Sequence, residues 1–91
     1  DLLNLSGDDV KYLTGTVNRD VLFTALVGAE TAIQNHFREN MLQGVRTMMN
    51  EFIELRSKFL SQQEIEGARE YILQTALQLQ EEGKVNLKNK A

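Results

Sequence analysis

The sequence predicts an all-α fold, a compact bundle of about five to six helices. None of the 91 residues is proline, so no predicted helix is interrupted. Apolar residues recur at intervals of three and four positions, and glycines or capping residues separate these segments. Hydrophobic residues make up 42% of the chain and charged residues 25%, which is a globular composition. At this length one core is available, so residues 1–91 are expected to form a single helical domain.

Capping residues and glycines delimit the first two predicted helices. We expect a short helical turn over residues 1–5, followed by a short helix that Asp8 or its neighbour caps and Gly15 ends. Asn18 is a favoured N-cap residue, so the second helix is expected to begin there. Gly28 is expected to end it.

Two further helices are predicted over residues 29–40 and 42–55. The apolar stripe of the first, at i, i+4 and i+8 spacing, consists of Ala29, Ile33, His36 or Phe37, and Met41. The apolar positions of the second are Val45, Met48, Met49, Phe52 and Ile53. The methionines could form an adaptable groove for a partner, but core filling is the favoured interpretation.

The last helix has the sharpest start signal in the sequence. Ser61 and Glu64 form a predicted capping box, in which the serine oxygen accepts from a backbone amide and the glutamate reaches back to the amide of Ser61. The helix is expected to run to about Glu82, with Gly83 as its C-terminal cap. Its stripe comprises Ile65, Ala68, Ile72, Ala76 and Leu79, widened by Leu73 and Leu77. Apolar and polar residues alternate over 84–87, as in an extended tail that folds back onto the core.

Few side chains are suited to catalysis or to holding a cofactor. His36 is the single histidine and lies beside apolar residues, so we expect a structural role for it. There is no cysteine for a zinc site, and the glycines form no phosphate-binding loop. We therefore predict no enzymatic activity, no metal and no cofactor.

Charge and hydropathy limit the classes of partner. The net charge of −3 argues against nucleic acid, because duplex binding needs a concentrated cationic surface. No apolar run approaches the roughly 20 residues that a membrane-spanning helix requires, so we predict no membrane insertion. The chain begins with Asp1 and not with Met. We therefore expect a fragment or a processed product of a longer chain.

Four short motifs occur in a fixed order. Ala-Leu-Val-Gly-Ala spans 25–29, Asn-Met spans 40–41, Ile-Glu-Gly-Ala spans 65–68 and Glu-Glu-Gly spans 81–83. Together they resemble the C-terminal domain of the bacterial flagellar motor switch protein FliG, whose family reads Ala-Leu-Lys-Gly-Ala, Asn-Met-Ser-x-Arg, Val-Glu-x-Ala-Gln and an acidic run with glycine. The family's serine corresponds to Leu42. The resemblance covers nearly the whole chain and implies an armadillo-related helical superhelix.

The resemblance implies a structural, force-transmitting role in flagellar rotation, motility and chemotaxis. In the family one charged helix faces the stator protein MotA, and torque is thought to pass through complementary charges. The implied partners are MotA and the other switch-ring subunits, FliG and FliM, within a large homo-oligomeric rotor ring, the C-ring. The implied location is the flagellar basal body, at the cytoplasmic face of the inner membrane.

The chain departs from the family at the charged positions. The family's lysine corresponds to Val27, its arginine to Gly44 and the second acid of a pair to Phe52, whereas the first acid is kept as Glu51. Arg46 lies about 200° around the helix from Gly44 and is not expected to replace the lost charge. These five residues form the predicted partner-binding site.

Two functions from different classes stay open. One is a FliG-like rotor domain whose contact with MotA is weakened or altered. The other is a helical protein-binding module, or a FliG paralogue that does not contact the stator. The position of Phe52 is also open, because its helical spacing favours burial whereas the family comparison places an exposed acid there.

Overall fold

The computed structural model describes residues 5–86, which form five α-helices and one 3₁₀ turn. The helices are α1 (Gly7–Thr16), α2 (Arg19–Val27), α3 (Thr31–Glu39), α4 (Gln43–Arg56) and α5 (Gln62–Glu81), with the 3₁₀ turn at Ser57–Phe59. No strand occurs among these residues. The predicted all-α fold is confirmed. The turn predicted over residues 1–5 lies, apart from Leu5, outside the described residues.

The first helix differs from its prediction at both ends. Its N-cap is Ser6, whose Oγ accepts from the amide of Asp9 at 3.1 Å, and Asp8 lies within the first turn. Gly15 does not end the helix, which continues to Thr16. The reason is that Gly15 keeps a negative φ, so the chain does not make the left-handed turn with which glycine usually ends a helix.

The second helix has the predicted ends. The Oδ1 atom of Asn18 accepts from the amides of Asp20 and Val21, at 2.9 Å and 3.2 Å. Gly28 is the C-cap, although its φ is −89°. Its absent side chain matters for another reason, because a Cβ there would overlap the Cγ2 methyl of Ile65 on α5. Glycine therefore permits α2 to pack closely against α5.

The fifth helix follows its sequence pattern almost residue by residue. Ser61 and Glu64 form the capping box, with the Ser61 amide donating to Oε1 of Glu64 at 3.1 Å and the Glu64 amide to Oγ of Ser61 at 3.0 Å. The five stripe residues are all buried: Ile65, Ala68, Ile72, Ala76 and Leu79. Leu73 is half-buried, whereas Leu77 is exposed. The expectation that Leu77 widens the buried stripe is therefore wrong, because Leu77 lies on a side of α5 that is open to solvent within the described part of the chain.

The end of α5 returns the chain to α1. Gly83 has a φ of 78° and continues the C-terminal cap begun at Glu82. The amide of Lys84 then donates to the carbonyl of Leu79 at 2.8 Å, which completes a Schellman-type ending. Val85 is buried and the amide of Asn86 donates to Asp9 at 3.1 Å. The predicted return of the tail is confirmed for residues 84–86, and Leu87 lies outside the described residues.

One core joins all five helices. Its largest fully buried side chains are Phe23, Phe37, Leu5, Leu13, Leu22, Leu26, Met49, Ile72 and Val10. The most extensive helix pair is α2 with α5, and α4 packs on α2. Half of α4 therefore faces the core, while its other side stays open to solvent.

Candidate functional site

The predicted partner-binding residues lie at the C-terminus of α2 and along α4, but they do not form one surface. Gly44 and Glu51 are exposed. They lie seven positions apart, which places them on the same side of α4. Val27, Arg46 and Phe52 are half-buried. The structure thus separates the five residues into an exposed pair and three that are held against the fold.

Arg46 is held by backbone carbonyls at the end of α3. Its Nε donates to the carbonyl of Arg38 at 2.9 Å, and its Nη2 to the carbonyl of Met41 at 3.1 Å. The carbonyl of Arg38 belongs to the last turn of α3, where a cation also interacts favourably with the helix dipole, and that of Met41 lies just beyond the helix. Arg46 therefore joins α4 to the end of α3.

Phe52 is neither a core residue nor a freely exposed one. Its ring lies 5.6 Å from the ring of buried Phe23, with an interplanar angle of 57°. The guanidinium of Arg56 also lies over this ring, 5.4 Å from its centroid. Aromatic pairs and cation–π contacts at these distances are favourable. Phe52 is thus part of the contact between α4 and α2.

Val27 is the last residue of α2 and precedes the close approach of Gly28 to Ile65. Its side chain is half-buried. It adds an apolar group where the family has lysine.

An exposed strip of α4 carries apolar side chains beside Glu51. We define this strip as Gly44, Met48, Glu51 and Leu55, which recur at i, i+4, i+7 and i+11 and so share one side of the helix. Met48 is 48% exposed and Leu55 is 65% exposed. Glu54 is also exposed and lies farther around the helix axis, and exposed Lys58 follows α4 in the 3₁₀ turn.

Leu42 and Phe59 add further exposed apolar surface at the two ends of α4, where they are 81% and 78% exposed. The expectation that Met48 fills the core is wrong, since only Met49 of that pair is buried. The apolar strip was missed because Met48 also fits the periodic pattern of the buried side. The i+7 spacing of Met48 and Leu55 was the signal that could have found it.

The described residues contain no cluster of side chains suited to a metal ion. No group of three or more histidine, cysteine or acidic residues within residues 5–86 could hold a metal ion. The Nε2 of His36 lies 2.7 Å from the carbonyl of Leu5. Because a carbonyl oxygen only accepts, the ring donates there and ties α3 to the start of α1. His36 thus has the structural role that its position in the sequence predicts.

No helix among the described residues is long and apolar enough to span a membrane. A groove between α2 and α5, lined in part by Asp20, Glu64 and Tyr71, is open to solvent. A smaller cavity between α2, α3 and α5 has Glu30 and Arg69 among its lining residues. Neither brings the five predicted residues together.

The family model for the FliG C-terminal domain matches residues 1–87. The searches of curated proteins and of solved structures found no match to the chain. The match agrees with the helical fold and with the ordered motifs of the sequence. It includes α4 and the end of α2. This chain therefore belongs to the FliG C-terminal domain family, a structural component of the flagellar motor switch and not an enzyme family.

Proposed function

We propose that this chain is the C-terminal domain of a FliG-like rotor subunit whose contact with the stator no longer depends on the family's charge pattern. The observation that carries the proposal is the state of α4. Its exposed strip contains Met48 and Leu55 and keeps one charge, at Glu51. Exposed apolar side chains that recur along one side of a helix are typical of surfaces that bind other proteins.

The geometry at the replaced positions supports the same proposal. Phe52 contacts Phe23, and Arg46 is bonded to the end of α3. Phe52 carries no charge, and the guanidinium of Arg46 is already bonded within the domain. Surface ion pairs contribute about 0–1 kcal/mol each, so a mechanism based on charge needs several of them in register. The single carboxylate of Glu51 cannot form several aligned ion pairs.

The proposed partners are MotA, through an altered contact, and the neighbouring FliG and FliM subunits of the C-ring. The proposed location is the cytoplasmic face of the inner membrane, in the basal body. In this interpretation α4 contributes shape and apolar contact to the interface, and its charges serve mainly solubility. The alternative is a paralogue that does not contact the stator. It can be distinguished from the proposed rotor domain because its α4 strip would not bind MotA.

The experiment compares three variants of the full-length rotor protein, Glu51→Lys, Leu55→Asp and the control Glu66→Lys on the exposed side of α5. Stator pull-down and motility are measured together with the unfolding midpoint. We expect Glu51→Lys to resemble Glu66→Lys, and Leu55→Asp to lower stator binding at least several-fold without loss of folding.

A strong Glu51→Lys defect that is restored by reversing a charge on the stator would show that ordinary charge pairing operates, and would overturn the proposal. Normal folding with no stator binding by any variant or by the unaltered protein would identify the paralogue instead. Phe52→Asp serves as a further control. We expect it to lower stability, because it removes the ring that packs on Phe23.

A further inference from the structure

Two arginines join the consecutive helices α3 and α4 and reach in opposite directions. From α4, Arg46 donates to the carbonyls of Arg38 and Met41. From α3, the Nε of Arg38 donates to Oδ1 of Asn50 on α4, at 2.8 Å. Its Nη1 donates to Oδ1 of Asn35 at 3.0 Å, which holds the guanidinium against α3. We call these four hydrogen bonds the arginine latch.

The core contact of α4 does not by itself fix the rotation of this helix about its axis. Val45 and Met49 are the buried residues of α4, and they lie four positions apart, so they form one line along the helix. The start of α4 has no side-chain capping bond, because its N-cap residue is Leu42. A helix that rests on one line of side chains can turn about its axis, unless contacts beside that line prevent it.

Such contacts lie on both sides of the buried line. Arg46 and Asn50 each follow a buried residue by one position, so the latch lies about 100° around the helix from the core contact. Phe52 follows Met49 by three positions, which places it about 60° around in the other direction, against the ring of Phe23. The latch and this aromatic contact therefore hold α4 from the two sides of its core contact.

The exposed strip of α4 faces away from the latch. Met48 is two positions from both Arg46 and Asn50, which is about 200° around the helix. It is 48% exposed, although the next residue, Met49, is 0% exposed. A rotation of α4 by a fraction of a turn would bury part of the strip and expose part of the buried line. The rotation of α4 therefore determines which side chains a partner of this helix contacts.

We propose that Arg38 and Arg46 are positioning residues, which fix the rotation of α4 and so present its exposed strip to a partner. Hydrogen bonds from a charged donor are stronger than those between neutral groups. Arg46 contributes more than Arg38, because it bonds two backbone carbonyls, whereas Arg38 reaches α4 through one exposed side chain. The consequence for stator binding rests on the proposed function, whereas the rotation of α4 does not.

The three methionines of the chain provide a readout of this rotation. Met48 is exposed, whereas Met49 and Met41 are buried. The chain is isotope-labelled at its methionine methyl groups, and a soluble gadolinium chelate is added. The paramagnetic broadening of each NMR signal then measures the exposure of that methyl group. In the unaltered protein we expect strong broadening of Met48 and protection of the other two.

Two variants weaken the latch. Arg46→Leu keeps an apolar side chain and removes both bonds to the end of α3. Asn50→Ala removes the acceptor on α4 at an exposed position, where folding should be unaffected. We expect Met48 to gain protection and Met49 to lose it, with a larger change in Arg46→Leu than in Asn50→Ala. The protection of Met41 should not change.

Two further variants separate positioning from general effects of removing a charge. Arg46→Lys keeps a charged donor and should restore part of the difference between Met48 and Met49. Arg69→Leu on α5 is the matched control. Arg69 is exposed and forms no hydrogen bond or ion pair with any residue between 5 and 86, so its removal should leave all three signals unchanged.

Unchanged protection of Met48 and Met49 in both Arg46→Leu and Asn50→Ala would overturn the proposal. If Arg46→Leu broadens all three signals, it has unfolded the domain, and Asn50→Ala then decides. Stator pull-down with the same variants of the full-length rotor protein should show several-fold weaker binding by Arg46→Leu. A changed rotation with unchanged binding would count against the stator contact and not against the latch. Unchanged rotation with normal binding would overturn the latch alone.

Discussion

Helices α4 and α5 are both amphipathic, yet they differ in how closely burial follows the apolar pattern. All five residues of the predicted α5 stripe are buried. In α4 only Val45 and Met49 are buried, whereas Met48 and Leu55 are exposed. The difference arises because α5 packs extensively on α2, whereas α4 contacts the core over one side only. The spacing of apolar residues therefore predicts burial well in α5, where they share one side of the helix. It predicts burial poorly in α4, where apolar residues lie on two sides.

The comparison also separates residues that hold the fold from residues that are available to a partner. The apolar side chains of α5 pack into the core, apart from the exposed Tyr71 and Leu77. On α4 the buried residues and the exposed strip occupy different sides of one helix. Changes to the strip should therefore alter binding with little effect on folding.

The largest expected effect tests this separation directly. Ile72→Ala on α5 should lower the free energy of unfolding by about 2–5 kcal/mol, because Ile72 is 0% exposed and truncation leaves a cavity. Leu55→Ala on α4 removes an exposed side chain of similar size and should change it by no more than about 0.5 kcal/mol. Urea unfolding of both variants measures the difference. Equal losses would mean that the two helices do not differ as described.

A smaller effect is expected at the contact between α2 and α5. Gly28→Ala should destabilise the domain by about 1–3 kcal/mol, because the new Cβ overlaps the Cγ2 of Ile65. Gly67→Ala is the control, since a Cβ there meets no atom within 4 Å. It should stabilise α5 by about 0.5–1 kcal/mol. Thermal unfolding distinguishes the two, and a stabilising Gly28→Ala would contradict the close packing.

The smallest expected effects concern the N-terminal caps. Ser61→Ala removes the capping box of α5 and should cost about 1 kcal/mol. Leu42→Ser gives α4 the capping oxygen that it lacks and should add up to about 1 kcal/mol, because Leu42 loses no packing at 81% exposure. Opposite shifts of the urea midpoint are the expected result. Shifts of the same sign would show that the two helix starts are equivalent.

Most of the fold could be predicted from local signals. Two helices begin where a side-chain oxygen accepts from backbone amides, at Asn18 and Ser61, as predicted. The same two helices end at or next to the predicted glycines, Gly28 and Gly83. The start of α1 was missed because Ser6, Asp8 and Asp9 are all plausible at that point. The choice of Ser6 depends on which oxygen lies within reach of the amide of Asp9.

The candidate site was less predictable, because its residues act through contacts distant in sequence. The family comparison identified which positions had changed, but not where the new side chains lie. Phe52 is half-buried because Phe23 lies opposite, 29 positions earlier in the chain. Arg46 reaches carbonyls eight and five positions away, through a turn whose geometry no local pattern specifies.

The bonds of Arg46 also determine how a mechanical load on α4 would spread. A sideways push on this helix would be resisted by two hydrogen bonds to the end of α3. From α3 the load would pass through His36, which bonds to the carbonyl of Leu5 at the start of α1. Side-chain-to-backbone bonds thus connect α4, α3 and the residue that precedes α1, so a load on α4 would reach α1 as well as α2, on which α4 packs directly.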